Sequence, residues 1–309
     1  MISPVKSTNS SVKQETGDDS NSSSDEGSTA CNNNDNTVDD DEEVVLNPSR
    51  DRDSSNIISL DDNKPSEHQP GVIIASGLDS KYVACLDPLD GSGNADAAIC
   101  TATIFGVFAN DEENPLKDKE ELQQSVLKPG KTLCAAGYCL YSSATILVFS
   151  VGDGVHGFTL DPQLGEFVLT HPNIRIPKRG NIYSCNEANS EGWSDGVNRY
   201  LKALKTGQGQ TGEKYTSRYV GSMVGDIHRT LMYGGIFLYP SDADRHPKGN
   251  LQLLYKSSPL GYLVEQAGGK CLTSGKADLL SAVPKKIHER APCFIGSLDD
   301  IDELKDYLD

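Results

Sequence analysis

Asp87-Pro88-Leu89-Asp90-Gly91-Ser92-Gly93-Asn94 closes a short apolar run, Lys81-Tyr82-Val83-Ala84-Cys85-Leu86. One proline and two glycines here predict a turn at a strand end. Two aspartates three positions apart in such a turn converge their carboxylates on one point. Oxygen-rich convergence suits Mg²⁺, a hard cation that also recruits phosphate oxygens, and the Leu89 carbonyl adds a third oxygen. The N–H groups of Gly91, Ser92 and Gly93 then face a phosphate, as successive amides do in anion-binding nests. The string Asp-Pro-Leu-Asp-Gly is also a serviceable surface turn, so taken alone it leaves both readings open.

Working outward, residues 97–108 form a second apolar run, followed by an acidic, helix-permissive stretch at 111–124. Segments 133–141, 144–151 and 155–160 read as successive strands separated by Gly and Ser. Asp161-Pro162 and Gly165 mark a hairpin turn before a strand at 166–170. Over 191–205, Trp193, Val197, Tyr200, Leu201 and Leu204 share one face at helical spacing. Short helices are expected at 226–233 and 259–266, the second stopped by Ala267-Gly268-Gly269. A strand at 236–239 and a final amphipathic helix at 301–308 complete the pattern. The fold class is α/β with much antiparallel character and no internal repeat.

Further strings extend the first. They are Thr103-Ile104-Phe105-Gly106, Ala136-Gly137-Tyr138, Leu160-Asp161-Pro162, Gly165-Glu166-Phe167 and Tyr183-Ser184-Cys185-Asn186-Glu187. Arg218-Tyr219-Val220-Gly221-Ser222-Met223-Val224, Asp226-Ile227-His228-Arg229-Thr230-Leu231 and Tyr233-Gly234-Gly235-Ile236-Phe237-Leu238-Tyr239-Pro240 follow, then Ile287-His288-Glu289-Arg290-Ala291-Pro292. In unbroken order from about Lys81 to Asp309, they resemble the fructose-1,6-bisphosphatase family. The resemblance implies a layered α/β/α/β/α sugar-phosphatase fold and a homotetramer. It implies Mg²⁺- or Mn²⁺-assisted removal of the 1-phosphate of fructose 1,6-bisphosphate, giving fructose 6-phosphate. It assigns Asp87 and Asp90 as catalytic metal ligands, with Leu89 binding through its carbonyl, and puts Gly91 and Ser92 against substrate. Asn186, Tyr219 and Tyr239 match positions that grip the 6-phosphate, and Arg218 matches an arginine reaching it from a neighbouring subunit. The residue types suit those roles, since Arg supplies a permanently charged donor fork and tyrosines rigid hydroxyl donors. On this basis 71–172 is the metal-site half of the domain and 173–309 the sugar-phosphate half. His156, His228 and His288 lack ligand spacing and read as structural.

Several departures fall on the chemistry. Where the family runs Gly-Lys-Leu-Arg-Leu-Leu-Tyr-Glu, this strand is Gly249-Asn250-Leu251-Gln252-Leu253-Leu254-Tyr255-Lys256. Asn250 replaces a lysine that binds sugar and phosphate, and Gln252 an arginine near the metal-site phosphate. Lys256 stands where the family has an acidic metal ligand, a reversal of charge beside a dication. At roughly 4 Å and an effective dielectric near about 20, one unit interaction is worth about 4 kcal/mol. Metal binding is therefore expected to be weakened by orders of magnitude. Asn189 takes the place of a phosphate-binding tyrosine and Gly93 that of a serine facing the metal-site phosphate. An inserted residue between Tyr239 and Gly249 makes Lys248 a candidate for the lost lysine. Two functions are expected: a metal-dependent sugar bisphosphatase, or an impaired relative that binds sugar phosphate or serves as a regulatory subunit of hetero-oligomers.

Charge narrows the classes further. The 309 residues carry a formal −17, with a pI of about 4.7, which argues against nucleic-acid and membrane-surface binding. The first 81 residues hold none of the aromatic side chains, and residues 1–70 carry 16 acidic against 5 basic groups. That segment is expected to be disordered, with the ordered chain beginning near Gly71. Val44-Val45-Leu46 and Asn56-Ile57-Ile58-Ser59-Leu60 are apolar islands within it, either edge strands or nothing. Asp39-Asp40 or Glu42-Glu43 are candidates for a Glu-Glu pair that completes the family's metal cluster, the alternative being plain solvated charge. Residues 1–80 lack the period of the helices that form the family's AMP site, so no AMP regulation is expected. Eight cysteines without a CxxC pair suit free thiols in a reducing compartment. With no secretory signal and no spanning apolar stretch, a cytoplasmic protein is expected, a plastid location remaining open.

Overall fold

A computed structural model describes residues 56–59, 72–75, 80–110 and 118–308. Two short strands, Asn56–Ser59 (β1) and Val72–Ala75 (β2), begin an eight-stranded sheet. It continues in strict chain order through Tyr82–Asp90 (β3), Thr101–Ala109 (β4), Leu133–Tyr141 (β5), Thr145–Ser150 (β6), Val155–Asp161 (β7) and Glu166–Ile174 (β8). Every neighbouring pair is antiparallel, including β4 and β5, whose connection is long enough to carry a helix. Between β4 and β5, Lys119–Ser125 (α1) starts at Asp118, whose carboxylate accepts the Glu121 N–H at 2.9 Å.

A second sheet contains Ile182–Ser184 (β9), Thr216–Ser217 (β10), Ile236–Tyr239 (β11), Lys270–Leu272 (β13) and Cys293–Gly296 (β15), in the order β10-β9-β11-β15-β13. Leu251–Gln252 (β12) and Arg290–Ala291 (β14) form a separate antiparallel pair. The remaining α-helices are Asp195–Thr206 (α2), Met223–Tyr233 (α3), Ser258–Gln266 (α4) and Leu298–Tyr307 (α5).

Strand alternation sets the layering. Phe237, Cys293 and Ile295 enter a core shared with Ile227 and Leu231 of α3, Leu260 and Leu263 of α4, and Ile104, Tyr138 and Val148 of the first sheet. Their neighbours Ile236, Leu238 and Phe294 face the other way, onto Tyr200, Leu201 and Leu204 of α2 and Ile301 and Leu304 of α5. The described residues thus stack as sheet, helices, sheet, helices, four of the five expected layers.

Three expectations need correction. Asn56–Ser59 pairs with Val72–Ala75, so a strand lies within the segment expected to be unstructured; its Ile57-Ile58 pair takes the edge-strand alternative. Helix α2 begins at Asp195, because Glu187–Gly192 forms a 3₁₀ turn and the Ser194 hydroxyl accepts the Val197 N–H. The strand expected across 249–256 ends at Gln252; Leu253–Ser257 winds into a π-helical turn that runs directly into α4. Residues 1–55, with the candidate acid pair at 39–43 and Cys31, lie outside the described residues. Among the described cysteines none is disulfide-bonded, and burial pushes the thiols of Cys85, Cys185 and Cys293 up to about 12.

Candidate functional site

In a regular strand, residues three apart point to opposite faces. Asp87 and Asp90 nevertheless meet one common partner, because the register of β3 against β4 shifts between them. Pro88, which has no N–H for the ladder, lies at that irregularity. The strand runs through Asp90 rather than turning at Asp87, and the turn follows at Gly91. Thr103 donates its hydroxyl to the Pro88 carbonyl at 2.8 Å, fixing the bulge from the neighbouring strand. Gly91 is left-handed (φ 76°), and a side chain there would meet the Ser222 hydroxyl at 3.0 Å. Ser92–Asn94 then form one 3₁₀ turn.

The common partner is Lys256. Its Nζ lies 2.8 Å from Asp87 Oδ2 and 3.2 Å from Asp90 Oδ1. The carboxylates are 2% and 6% exposed and the lysine side chain 19%, so bulk water screens the triad little. The other Asp90 oxygen accepts the Val224 N–H in the first turn of α3, where a helix N-terminus favours negative charge. Burial raises the Asp87 carboxyl above its usual range, outweighing the attraction of Lys256. For Lys256, burial alone would lower the ammonium, but Asp90 and Asp87 together raise it, so the lysine is charged at neutral pH.

A cavity of about 210 Å³ opens in front of this triad. Asp87, Leu89, Gly91, Ser92 and Gly93 line one side, and Asn250, Gln252, Lys256 and Arg290 the other. Arg290 is the register partner of Gln252 across the β12–β14 pair. Its guanidinium donates to both the side-chain and backbone oxygens of Asn250. The Asn250 amide in turn donates to the Tyr239 hydroxyl at 3.4 Å, linking this wall of the cavity to the residues around Tyr239.

On that side, Asn186 and Tyr239 line a smaller recess with Asn189, Trp193 and His246. Asn186 also accepts the Ala188 N–H at 3.3 Å. Tyr219 is 39% exposed, and its hydroxyl is pushed up to about 12 by burial and then by Tyr239 and Asp226. Asp226, buried at the start of α3, accepts the N–H groups of Val220 and Gly221 and an Arg229 N–H. Arg229 also donates to the Arg218 carbonyl, so these two side chains hold the loop that carries Arg218 and Tyr219. Arg218 itself is exposed and lines neither cavity; Lys248, the candidate for the lost lysine, is likewise exposed and outside both.

Of the sequence-predicted residues, Asp87, Leu89, Gly91 and Ser92 surround one cavity and Asn186 and Tyr239 the other, Asp90 meets Lys256, and Arg218 and Tyr219 line neither. Arg290 and Asp226 lie within the matching strings, and the resemblance gives neither a role. Their contacts join segments far apart in the chain, and no local spacing signals them. His228 is half-buried and His288 exposed, and their Nδ1 atoms meet the hydroxyls of Tyr138 and Tyr255 at 2.7 and 2.9 Å.

A divalent cation implied by the resemblance would need both aspartates facing open space. Here an ammonium already touches both, so the residues present do not fit a metal at this point.

Comparison with known proteins agrees with the architecture. Residues 55–172 match the fructose-1-6-bisphosphatase N-terminal domain and 176–309 the C-terminal domain. The chain is 50% identical over 239 residues to the cytosolic fructose-1,6-bisphosphatase of Brassica napus, covering 77% of this chain and 68% of that one. It is 49% identical over 239 residues to the cytosolic enzyme of Arabidopsis thaliana, with the same coverage. The crystal structure of Leishmania major fructose-1,6-bisphosphatase in holo form superposes with a TM-score of 0.72 at 43% identity, covering 77% of this chain and 72% of that chain. With both domains matched in order, and such identity across two thirds of its relatives' length, the chain belongs to the fructose-1,6-bisphosphatase family.

Proposed function

We propose that this protein binds sugar phosphates in the cleft between Asp87 and Tyr239, and hydrolyses the 1-phosphate of fructose 1,6-bisphosphate at or near background rate. The family is in general metal-dependent. The observation that carries the proposal is the Lys256 ammonium 2.8 and 3.2 Å from the two aspartates, where Mg²⁺ or Mn²⁺ would have to bind. A fixed ammonium compensates the carboxylates but cannot lower the pKa of an attacking water as a bound dication does. No hydrolytic step is therefore assigned to a metal here. Asp87 and Asp90, of the resemblance's metal set, act in this chain as a structural socket for Lys256, and Leu89 donates its N–H to Asp87.

The other residues retain binding roles. Gly91 and Ser92 contact the sugar end, and Asn186, Tyr219 and Tyr239 hold the phosphate through amide and hydroxyl donors. Arg218, exposed and outside both cavities, is offered to a neighbouring copy in a homotetramer. Cytosolic residence is proposed from relatives named as cytosolic. The test is phosphate release from fructose 1,6-bisphosphate while Mg²⁺ is titrated. Release at or near background is expected, and robust Mg²⁺-dependent hydrolysis by the unaltered chain would overturn the proposal.

A further inference from the structure

Strand alternation gives the first sheet two faces, and the helices α3 and α4 pack on one of them. Inward positions such as Ile104, Tyr138 and Val148 join those helices in the first core. The outward positions include Leu86, Phe105, Leu147, Phe149, Phe158 and Leu160, all half-buried and, among the described residues, members of neither core. Leu86 lies opposite Phe105 and Leu147 opposite Phe158 across the ladder. The Phe105 ring lies over Gly137, where a side chain would have no room, and Phe149 stacks on Phe158 with centroids 5.3 Å apart. Leu169 and Phe167 of β8, the register partners of Phe158 and Leu160, carry the apolar surface to the sheet edge.

An antiparallel sheet with one face in water ordinarily alternates apolar inside with polar outside. Here the outward positions of β4–β7 hold no Asp, Glu, Lys or Arg, in a chain that is 24% charged. Residues 1–55 are acidic and lack aromatics, so that segment does not offer the apolar surface such a face requires. A second copy does. A formal charge of −17 makes copies repel over most of their surface, and an uncharged face lets two of them meet without opposing like charges. Six strands about 4.8 Å apart, each about seven residues long, make a face of roughly 700 Å² before side-chain relief. That is close to the roughly 800 Å² each partner gives to a standard interface. We propose that two copies pack these faces sheet on sheet about a two-fold axis, with Phe149 and Phe158 inside the contact. The face is separate from the cleft, so this interface holds or fails independently of the sugar-phosphate reading.

The test is sedimentation of the full chain over a concentration series, with hydroxyl-radical footprinting of the same samples. Association is expected, and Leu147, Phe149 and Phe158 should lose reactivity several-fold as the dimer forms. Leu147→Lys with Phe158→Lys should weaken association roughly tenfold or more, since its ammonium groups would have to be desolvated in the contact. Footprinting reads the unaltered chain, so the outcome does not depend on the variant folding. A chain that stays monomeric, or that associates with these side chains still reactive, would overturn the proposal. Protection already complete in the monomer would also overturn it, by giving the cover to the chain's own residues.

Discussion

At Lys256 one side chain compensates two carboxylates that are almost removed from water. Removing one partner from such a group leaves uncompensated buried charge, which costs far more than the intact group contributes. Lys256→Met should therefore destabilise the fold by about 3 kcal/mol at neutral pH, measured by urea unfolding. Because the Asp87 carboxyl is already raised by burial, the loss should shrink as acid protonates it. A loss that stays constant between neutral and acidic pH would contradict the uncompensated-charge account. His228 gives a second residue-level prediction. Burial first, and His171 second, lower its imidazole from 6.5 to about 4. The unfolded chain then binds the proton more readily, so this group's contribution to stability is complete above 6.5 and is lost as pH falls toward about 4. NMR titration should find the ring neutral at pH 5; a midpoint near 6.5 would refute the burial argument. Both side chains are visible in the sequence, and the charge reversal at Lys256 was legible there. That its ammonium touches both aspartates was not, since 166 positions separate it from Asp90.

The elements show why. The bulge in β3, the π-helical turn at Leu253–Ser257 and the first turn of α3 each place one part of the triad. Only the first announces itself, through Pro88 and Gly91. The π-helical turn depends on tertiary packing that overrides the strand pattern of 249–256, and α3 starts at Met223, one turn before the helix expected from 226. Gly91→Ala should cost about 1 kcal/mol or more, from the left-handed backbone and the encroachment on Ser222. Thermal unfolding unchanged by that substitution would be inconsistent with the geometry. Helix α5 is held similarly, through contacts no local pattern reveals. Asp300 accepts the Tyr215 hydroxyl at 2.6 Å and the Gly180 N–H at 2.9 Å, while Arg179 pairs with both Asp300 and Glu303. Arg179→Ala should cost about 3 kcal/mol and speed hydrogen exchange in α5 before the first sheet is affected. Uniform acceleration across both sheets would instead indicate global loosening.

Across the whole molecule, chain-order strands with short turns made the antiparallel sheet readable from the sequence, and alternation made its buried face readable. Layering was less accessible, because Ile236 and Phe237 are equally apolar yet serve different cores. The last strand of the first sheet, β8, leaves Phe167, Val168 and Leu169 at 41%, 44% and 49% exposure, an apolar surface of the kind that partners cover. This supports the homo-oligomer proposal: Phe167→Lys with Leu169→Lys should lower the mass measured by light scattering, and an unchanged mass would exclude β8 from the interface. The central claim, however, is that an ammonium holds the place of a cation. It is tested most directly by calorimetric titration of Mg²⁺ into the unaltered chain and into Lys256→Glu. No saturable uptake is expected for the former, and affinity roughly tenfold or more higher for the latter, which loses a positive charge and gains a carboxylate. Mg²⁺ binding to the unaltered chain as tight as to Lys256→Glu would contradict the account.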